Sequence, residues 1–138
     1  MIAARSWVAV GFGGPEVLRN IAVDVPDPGP GQVTIGVRAS GMNPADAKHI
    51  APGQDPKLLP LSVGYEVAGV VTAFGPDTEL ASGGGAAGDE VVASMIDGGY
   101  ATAMSPGNWL TPPCGQSVTA TFPATCKQTW PSISICWS

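Results

Sequence analysis

The 138-residue chain is poor in charge, and above all in positive charge. It has 6 Lys and Arg residues against 11 Asp and Glu residues, which gives a net charge of -5 at pH 7. Nucleic-acid binding needs a basic surface for the phosphates, so we expect no nucleic-acid partner. The chain also has no apolar run of the roughly 18 residues that a membrane span needs, and no signal-peptide pattern at its start. We therefore expect a cytoplasmic protein with no membrane partner.

Side chains that bind metal ions are equally scarce. The chain has one histidine, His49, and three cysteines, Cys114, Cys126 and Cys136, which lie far apart in the sequence. Structural zinc sites usually take two of their ligands from a closely spaced pair, so we expect no bound metal. The odd number of cysteines also excludes a disulfide set that pairs every cysteine within the chain.

Glycine and proline, in contrast, are abundant, with 19 and 14 residues. Such a composition predicts many turns and short strands. The clearest strand covers residues 32–39, where apolar and polar side chains alternate. We expect one face to carry Val33, Ile35, Val37 and Ala39 and the other face to carry Thr34 and Arg38. Further strands are predicted at residues 7–10, 21–25, 66–74, 90–95 and 100–104.

One short helix is predicted over residues 44–48. Proline suits the first helical position, which Pro44 takes, and Asn43 before it can cap the helix. About six short strands with a single helical turn indicate a mainly β fold, either a small β-barrel or a rolled sheet.

A glycine-rich segment imitates a dinucleotide-binding motif. Gly83, Gly85 and Gly88 have the spacing of that fingerprint. The motif works only when a strand precedes it and a helix N-terminus follows it, because the helix meets the pyrophosphate. Here a predicted strand begins at Glu90, and Asp89 would repel a phosphate. We therefore interpret the segment as a loop.

Five segments, taken in their order and spacing, are the most informative part of the chain. They are residues 13–18, 39–46 (ASGMNPAD), 63–71 (VGYEVAGVV), 88–91 and 98–101. Together they resemble the N-terminal catalytic domain of medium-chain dehydrogenases/reductases over residues 5–104. The resemblance implies a GroES-like, partly open β-barrel with one short helix, and it assigns residues 1–104 to this domain.

Two positions indicate a branch of that family. Zinc-dependent alcohol dehydrogenases have a Cys ligand where this chain has Asn43, and a His ligand where it has Tyr65. An amide and a phenol bind zinc poorly. The chain is therefore similar to the zinc-free quinone oxidoreductases and enoyl reductases. That resemblance implies NADPH as cofactor and a small-molecule substrate, a quinone or an enone.

The same resemblance identifies three candidate catalytic residues. Asn43 matches the asparagine that lines the nicotinamide pocket; it could equally serve only as the helix cap. Lys48 matches a position near the nicotinamide ribose, where an ammonium could bind a hydroxyl or polarise a carbonyl; otherwise it is a surface lysine. Tyr65 could present its hydroxyl to the pocket or pack as an aromatic. Asn43 and Lys48 are also the candidate cofactor-binding residues.

Beyond Met104 the sequence changes character. Residues 105–138 carry one charged side chain, Lys127, and all three cysteines. We expect this tail to be divergent, either disordered or the product of a reading-frame change. It has no pattern for a Rossmann domain, so we expect the isolated chain to be a truncated and inactive oxidoreductase. The alternative is a non-catalytic β-barrel module for binding or assembly. A homo-oligomer is left open.

Overall fold

The structure, a computed structural model, describes residues 1–80, 82–94, 96–105 and 117–120. The fold is mainly β, as predicted, and over these residues it consists of two antiparallel sheets that do not close into a complete barrel. The elements are β1 (Ile2–Ala9), β2 (Leu18–Val25), β3 (Val33–Ser40), α1 (Pro44–His49), β4 (Leu61–Ser62), β5 (Glu66–Phe74), β6 (Glu90–Ser94), β7 (Ala103–Met104) and β8 (Ser117–Ala120), with 3-10 turns at Pro15–Val17 and Pro56–Leu58.

The smaller sheet has the strand order β2-β1-β4, and the larger has the order β7-β3-β5-β6-β8. Residues 99–104 connect them. On one side of this segment the Trp7 N–H donates to the Tyr100 carbonyl at 2.8 Å, and Ser6 forms a bridge with Ala101. On the other side the Val37 N–H donates to the carbonyl of residue 102 at 3.0 Å, and β7 pairs with β3. Residues 99–104 thus bond to both sheets and join them into one unit.

Two apolar clusters fill the interior. The larger lies on the five-stranded sheet and contains Val33, Ile35, Val67, Val71, Leu80, Val91, Ala93, Ile96 and Met104. The smaller contains Ala9, Ile50 and Val63, with Val17, Leu18, Leu61 and Tyr100 packed against it. Because Ile50 directly follows α1, the smaller cluster fixes the helix against the end of the smaller sheet.

The predicted faces of β3 hold only in part. Ile35 is buried and Arg38 is exposed, as expected. Thr34, expected on the outward face, is fully buried, and its Oγ1 has no hydrogen-bond partner among the described residues. Register shifts between Thr34 and Ile35 and between Val37 and Ala39 interrupt the pairing with β5, and a bulge of this kind breaks strict alternation.

Several strand limits also differ from the prediction. β1 begins at Ile2 rather than at residue 7, and β7 is only the last two residues of the predicted 100–104 strand. β4 and β8 were not predicted; β8 pairs with β6. Within the predicted tail, the structure describes Ser105 and β8, and the rest of that prediction lies outside the described residues.

The glycine-rich segment is a loop, as interpreted. Gly83, Gly85 and Gly88 all have positive φ, at 88°, 117° and 102°. The segment leads directly into β6, with no helix that could receive a phosphate. The one α-helix in the described ranges, α1, has six residues, and no helix there is long and apolar enough to cross a membrane.

Candidate functional site

Asp46 organises the region around α1. Its side chain is 7% exposed and accepts three hydrogen bonds. Oδ2 accepts from the Asn43 N–H at 2.8 Å and from the Tyr100 hydroxyl at 2.8 Å, and Oδ1 accepts from the Gly64 N–H at 3.0 Å. One buried carboxylate therefore joins the start of the helix, the turn before β5 and the segment that connects the sheets.

Asn43 is the N-cap of α1, as predicted, with Pro44 in the first turn. The Asp46 N–H donates to the Asn43 carbonyl at 3.0 Å, and the Asp46 carboxylate accepts from the Asn43 N–H at 2.8 Å. This reciprocal pair fixes the backbone of Asn43, whose side chain is half-buried. Asn43 thus occupies the predicted N-cap position, but its side chain makes no capping hydrogen bond within the described residues, and the role in a nicotinamide pocket stays a prediction.

Tyr65 is half-buried and its ring contacts the ring of His49, the last residue of α1. The Tyr65 hydroxyl lies 2.6 Å from each of the two His49 ring nitrogens. The ring centroids are 5.1 Å apart with an interplanar angle of 71°, an edge-to-face arrangement. The ring of Tyr65 therefore packs as an aromatic, and the presentation of its hydroxyl to the pocket stays a prediction.

A cavity of about 380 Å³ adjoins this pair. Its lining residues are His49, Gln54, Leu58, Leu61, Ser62 and Asp97. Burial raises the pKa of Tyr65, and the negative charges of Asp97 and then Asp46 add to that rise. The Tyr65 hydroxyl is therefore protonated at neutral pH and available as a donor. The cavity combines the apolar walls of Leu58 and Leu61 with a few polar side chains, an arrangement common in sites for small ligands.

The three predicted site residues lie around one helix. Asn43 precedes α1, Lys48 lies in its last turn, and Asp46 bonds Gly64, the neighbour of Tyr65. Lys48 is exposed, and its ammonium makes no hydrogen bond or ion pair within the described residues. Residues five apart on an α-helix are about 140° apart around its axis, so Lys48 and Asn43 do not share one face.

Sequence reasoning missed His49 as a partner for Tyr65 and considered it only as a metal ligand. The described residues contain no group of three or more His, Cys, Asp or Glu side chains that could hold a metal ion. His49 is the last residue of α1, and residues 61–65 return to pack near that end of the helix. That return depends on tertiary packing rather than on any local pattern.

The two antiparallel sheets, with α1 beside a partly polar cavity, are the architecture of a GroES-like domain. The chain belongs to the family of alcohol dehydrogenase GroES-like domains, which matches residues 29–128. The match continues past Met104, where the motif resemblance ended. The prediction of the N-terminal domain of a medium-chain dehydrogenase/reductase is confirmed, and the zinc-free branch stays a prediction.

Quinone oxidoreductases are prominent among the similar proteins. Human quinone oxidoreductase is 42% identical over 94 residues, which are 65% of this chain and 27% of that protein. The solved structure of Escherichia coli quinone oxidoreductase complexed with NADPH has a TM-score of 0.66 and 27% identity, over 74% of this chain and 30% of that one. The human synaptic vesicle membrane protein VAT-1 homolog-like protein has a TM-score of 0.67 and 31% identity, over 75% and 33%. This chain thus spans about a third or less of each of these relatives.

Proposed function

We propose that the chain forms the substrate-side domain of an NADPH-dependent oxidoreductase that reduces a quinone or an electron-poor C=C bond. The observation that carries the proposal is the grouping of Asn43, Lys48 and Tyr65 around α1, whose last residue, His49, lines a cavity, in a fold shared with quinone oxidoreductases. One of those relatives was solved with NADPH.

The side chains around α1 fit the nicotinamide end of such a cofactor. When bound, NADPH supplies a hydride. The Lys48 ammonium is exposed and unpaired in the described part of the chain, so it is free to donate to a ribose hydroxyl or a carbonyl. The Asn43 side chain sits at a position fixed by Asp46, and its amide can donate to an acceptor carbonyl. Because the two side chains do not share one face of α1, each would contact a different part of the cofactor rather than hold all of it.

The cavity fits a small acceptor. A volume of about 380 Å³ is at the lower end of the range for ligand sites, which favours a single-ring molecule. Leu58 and Leu61 supply apolar wall, and His49, Gln54 and Ser62 supply polar groups. An uncharged ring with a carbonyl group, such as a quinone or a cyclic enone, matches that distribution.

The test is a fluorescence titration of the purified chain with NADPH, followed by turnover of duroquinone. We expect saturable binding that Lys48→Met weakens by about 10-fold to 100-fold, the worth of one charge-assisted hydrogen bond. Lys57→Met is the matched control, because Lys57 is an exposed lysine in the 3-10 turn Pro56–Leu58. Equal affinities for the wild type and Lys48→Met would contradict the role of Lys48. No saturable binding by the wild type would favour the alternative, a non-catalytic β-barrel module for binding or assembly.

A further inference from the structure

We propose that the chain has a second ligand site, a groove on the outer face of the smaller sheet that takes a small aromatic carboxylate. Arg5 and Arg38 bind the carboxylate, and Trp7 packs against the ring. The groove shares no lining residue with the cavity at the end of α1, and the inference does not depend on the proposed function.

Three parts of the fold form the groove, whose volume of about 640 Å³ is within the range of sites for drug-sized molecules. β1 and β2 line one side, the last four residues of β3 line the other, and residues 100–102 lie between them. Burial alternates along β1: Ala4, Ser6 and Val8 are buried, whereas Arg5 and Trp7 are exposed on the groove side. The sheet therefore presents both a charged and an aromatic side chain to the groove.

Arg5 is held in place by Asn20 on β2. Its Nε donates to the Asn20 Oδ1, and one Nη donates to the Asn20 carbonyl at 3.2 Å. A guanidinium has five N–H donors, and these two bonds are the ones it makes within the described residues, so three donors are left for a ligand. An arginine that is already fixed loses little side-chain freedom when an anion binds.

Arg38 reaches the groove because of the bulge in β3. Val37 pairs with Gly69 and Ala39 pairs with Ala68, so Arg38 is the extra residue without a partner on β5. Successive side chains of a regular strand point to opposite faces, yet Val37, Arg38 and Ala39 all line the groove. A bulge redirects a side chain in this way. The Arg38 guanidinium is exposed and makes no hydrogen bond or ion pair in the part of the chain that the structure describes.

The two arginines are placed to act on one anion. The Thr102 N–H donates to the Arg5 carbonyl at 2.8 Å, and the Val37 N–H donates to the Thr102 carbonyl at 3.0 Å. Two strand spacings therefore separate the backbones on the two sides, about 10 Å, a width across which two long side chains can converge. Within the described ranges no Asp or Glu lines the groove, so neither positive charge is neutralised there.

The rest of the lining sets the class of ligand. Trp7 and Met42 are 47% and 60% exposed, and Leu18 and Val37 extend this apolar surface. A flat ring packs well against an indole, and a guanidinium matches a carboxylate with two parallel hydrogen bonds. A singly charged carboxylate also costs less to desolvate beside apolar side chains than a doubly charged phosphate. An aromatic monocarboxylate fits all three properties.

The test is an NMR titration of the full chain with 2-naphthoate and with its neutral counterpart, 2-naphthamide. The chain has four tryptophans, and Trp7→Phe identifies the indole signal of Trp7. We expect 2-naphthoate to shift that signal saturably and to bind at least about 5-fold more tightly than 2-naphthamide. Arg38→Met should weaken 2-naphthoate by about 5-fold to 20-fold and leave 2-naphthamide unchanged.

Arg19→Met is the matched control, because Arg19 is an exposed arginine of β2 that does not line the groove. Its affinity for 2-naphthoate should equal that of the wild type. Equal affinities for the two naphthalenes, an equal loss in Arg19→Met and Arg38→Met, or no saturable shift of the Trp7 signal would each overturn the proposal. Displacement of 2-naphthoate by NADPH would overturn it too, because the groove would then belong to the cofactor. The titration uses no turnover, so its result stands whether or not the chain is an oxidoreductase.

Discussion

Replacing Asp46 by asparagine changes one atom type at the centre of the α1 region. The carboxylate accepts from the Asn43 N–H and the Tyr100 hydroxyl at Oδ2 and from the Gly64 N–H at Oδ1. An asparagine amide keeps one acceptor oxygen and puts an NH₂ group in place of the other. Its better orientation keeps the oxygen at the Oδ2 position and turns the NH₂ toward the Gly64 N–H, where two donors then face each other.

The expected loss of stability follows from the number of hydrogen bonds that the asparagine loses or weakens. One hydrogen bond to a charged acceptor is worth about 1.5 to 3 kcal/mol, and the two that survive lose their charge assistance. The neutral amide recovers part of this loss because it is cheaper to bury. We expect Asp46→Asn to lower the free energy of unfolding by about 2 to 4 kcal/mol. Domains of this size are stable by about 5 to 15 kcal/mol, so the variant should still fold.

Urea denaturation followed by tryptophan fluorescence measures the effect. With an m-value of about 1.5 kcal/mol per molar, the midpoint should fall by about 1.3 to 2.7 M. Asp55→Asn is the matched control: Asp55 caps an exposed 3-10 turn, asparagine caps equally well, and the midpoint should barely move. A shift in Asp46→Asn no larger than that of the control would refute the assignment of Asp46 as the centre of this network.

Three further predictions concern packing and protonation. Gly75→Ala should destabilise by about 3 kcal/mol or more, because a Cβ there would lie 1.7 Å from the Gly29 carbonyl oxygen; Gly11→Ala, whose nearest contact would be 3.9 Å, should stay within about 1 kcal/mol of wild type in the same urea assay. Ile35→Ala, at a position with 0% exposure, should cost about 2 to 5 kcal/mol by thermal or urea unfolding. Both tyrosines have a pKa raised mainly by burial, so tyrosinate absorbance at about 295 nm should appear only above pH 10 in the folded chain.

The outcomes that contradict these predictions are equally specific. Equal urea midpoints for Gly75→Ala and Gly11→Ala would contradict the expected clash at Gly75. A cost below about 1 kcal/mol for Ile35→Ala would show that the core around β3 collapses to fill the space. For the tyrosines the sign is fixed: raised folded pKa values give stability that is present below about pH 10 and lost as the pH rises through those values. A chain that gains stability above pH 10 would contradict the raised pKa values of Tyr65 and Tyr100.

Local patterns predicted those elements whose own residues determine them. The strand at residues 66–74 was predicted with the limits of β5, Glu66–Phe74, because an apolar run between glycines is unambiguous. The helix was predicted to within one residue, because Asn43 and Pro44 mark its start. β4 was missed because two residues have no period, and it is a strand only by pairing with β1. The burial of Thr34 was missed because alternation along one strand does not show what covers its second face.

The candidate site divides in the same way. The N-cap position of Asn43 follows from local chemistry. The contact of Tyr65 with His49 follows from no local rule, because the two residues are 16 positions apart and meet only when the chain passes α1 a second time. Motif resemblance brought attention to Tyr65 and none to His49.

The segment at residues 99–104 has a consequence for how the chain is made. The backbone of Arg5 bonds Thr102, 97 positions later, so β1 is synthesised long before this partner exists. At ribosomal rates of 5 to 20 residues per second, that interval is about 5 to 20 s. During it β1 can pair with β2 and, once residues 61–62 exist, with β4 at Val8 and Ala9 only, which leaves the rest of that second edge open. The N-terminal hairpin is therefore the part of a nascent chain most exposed to strand-to-strand aggregation, and a ribosome that stalls before residue 99 would prolong that state.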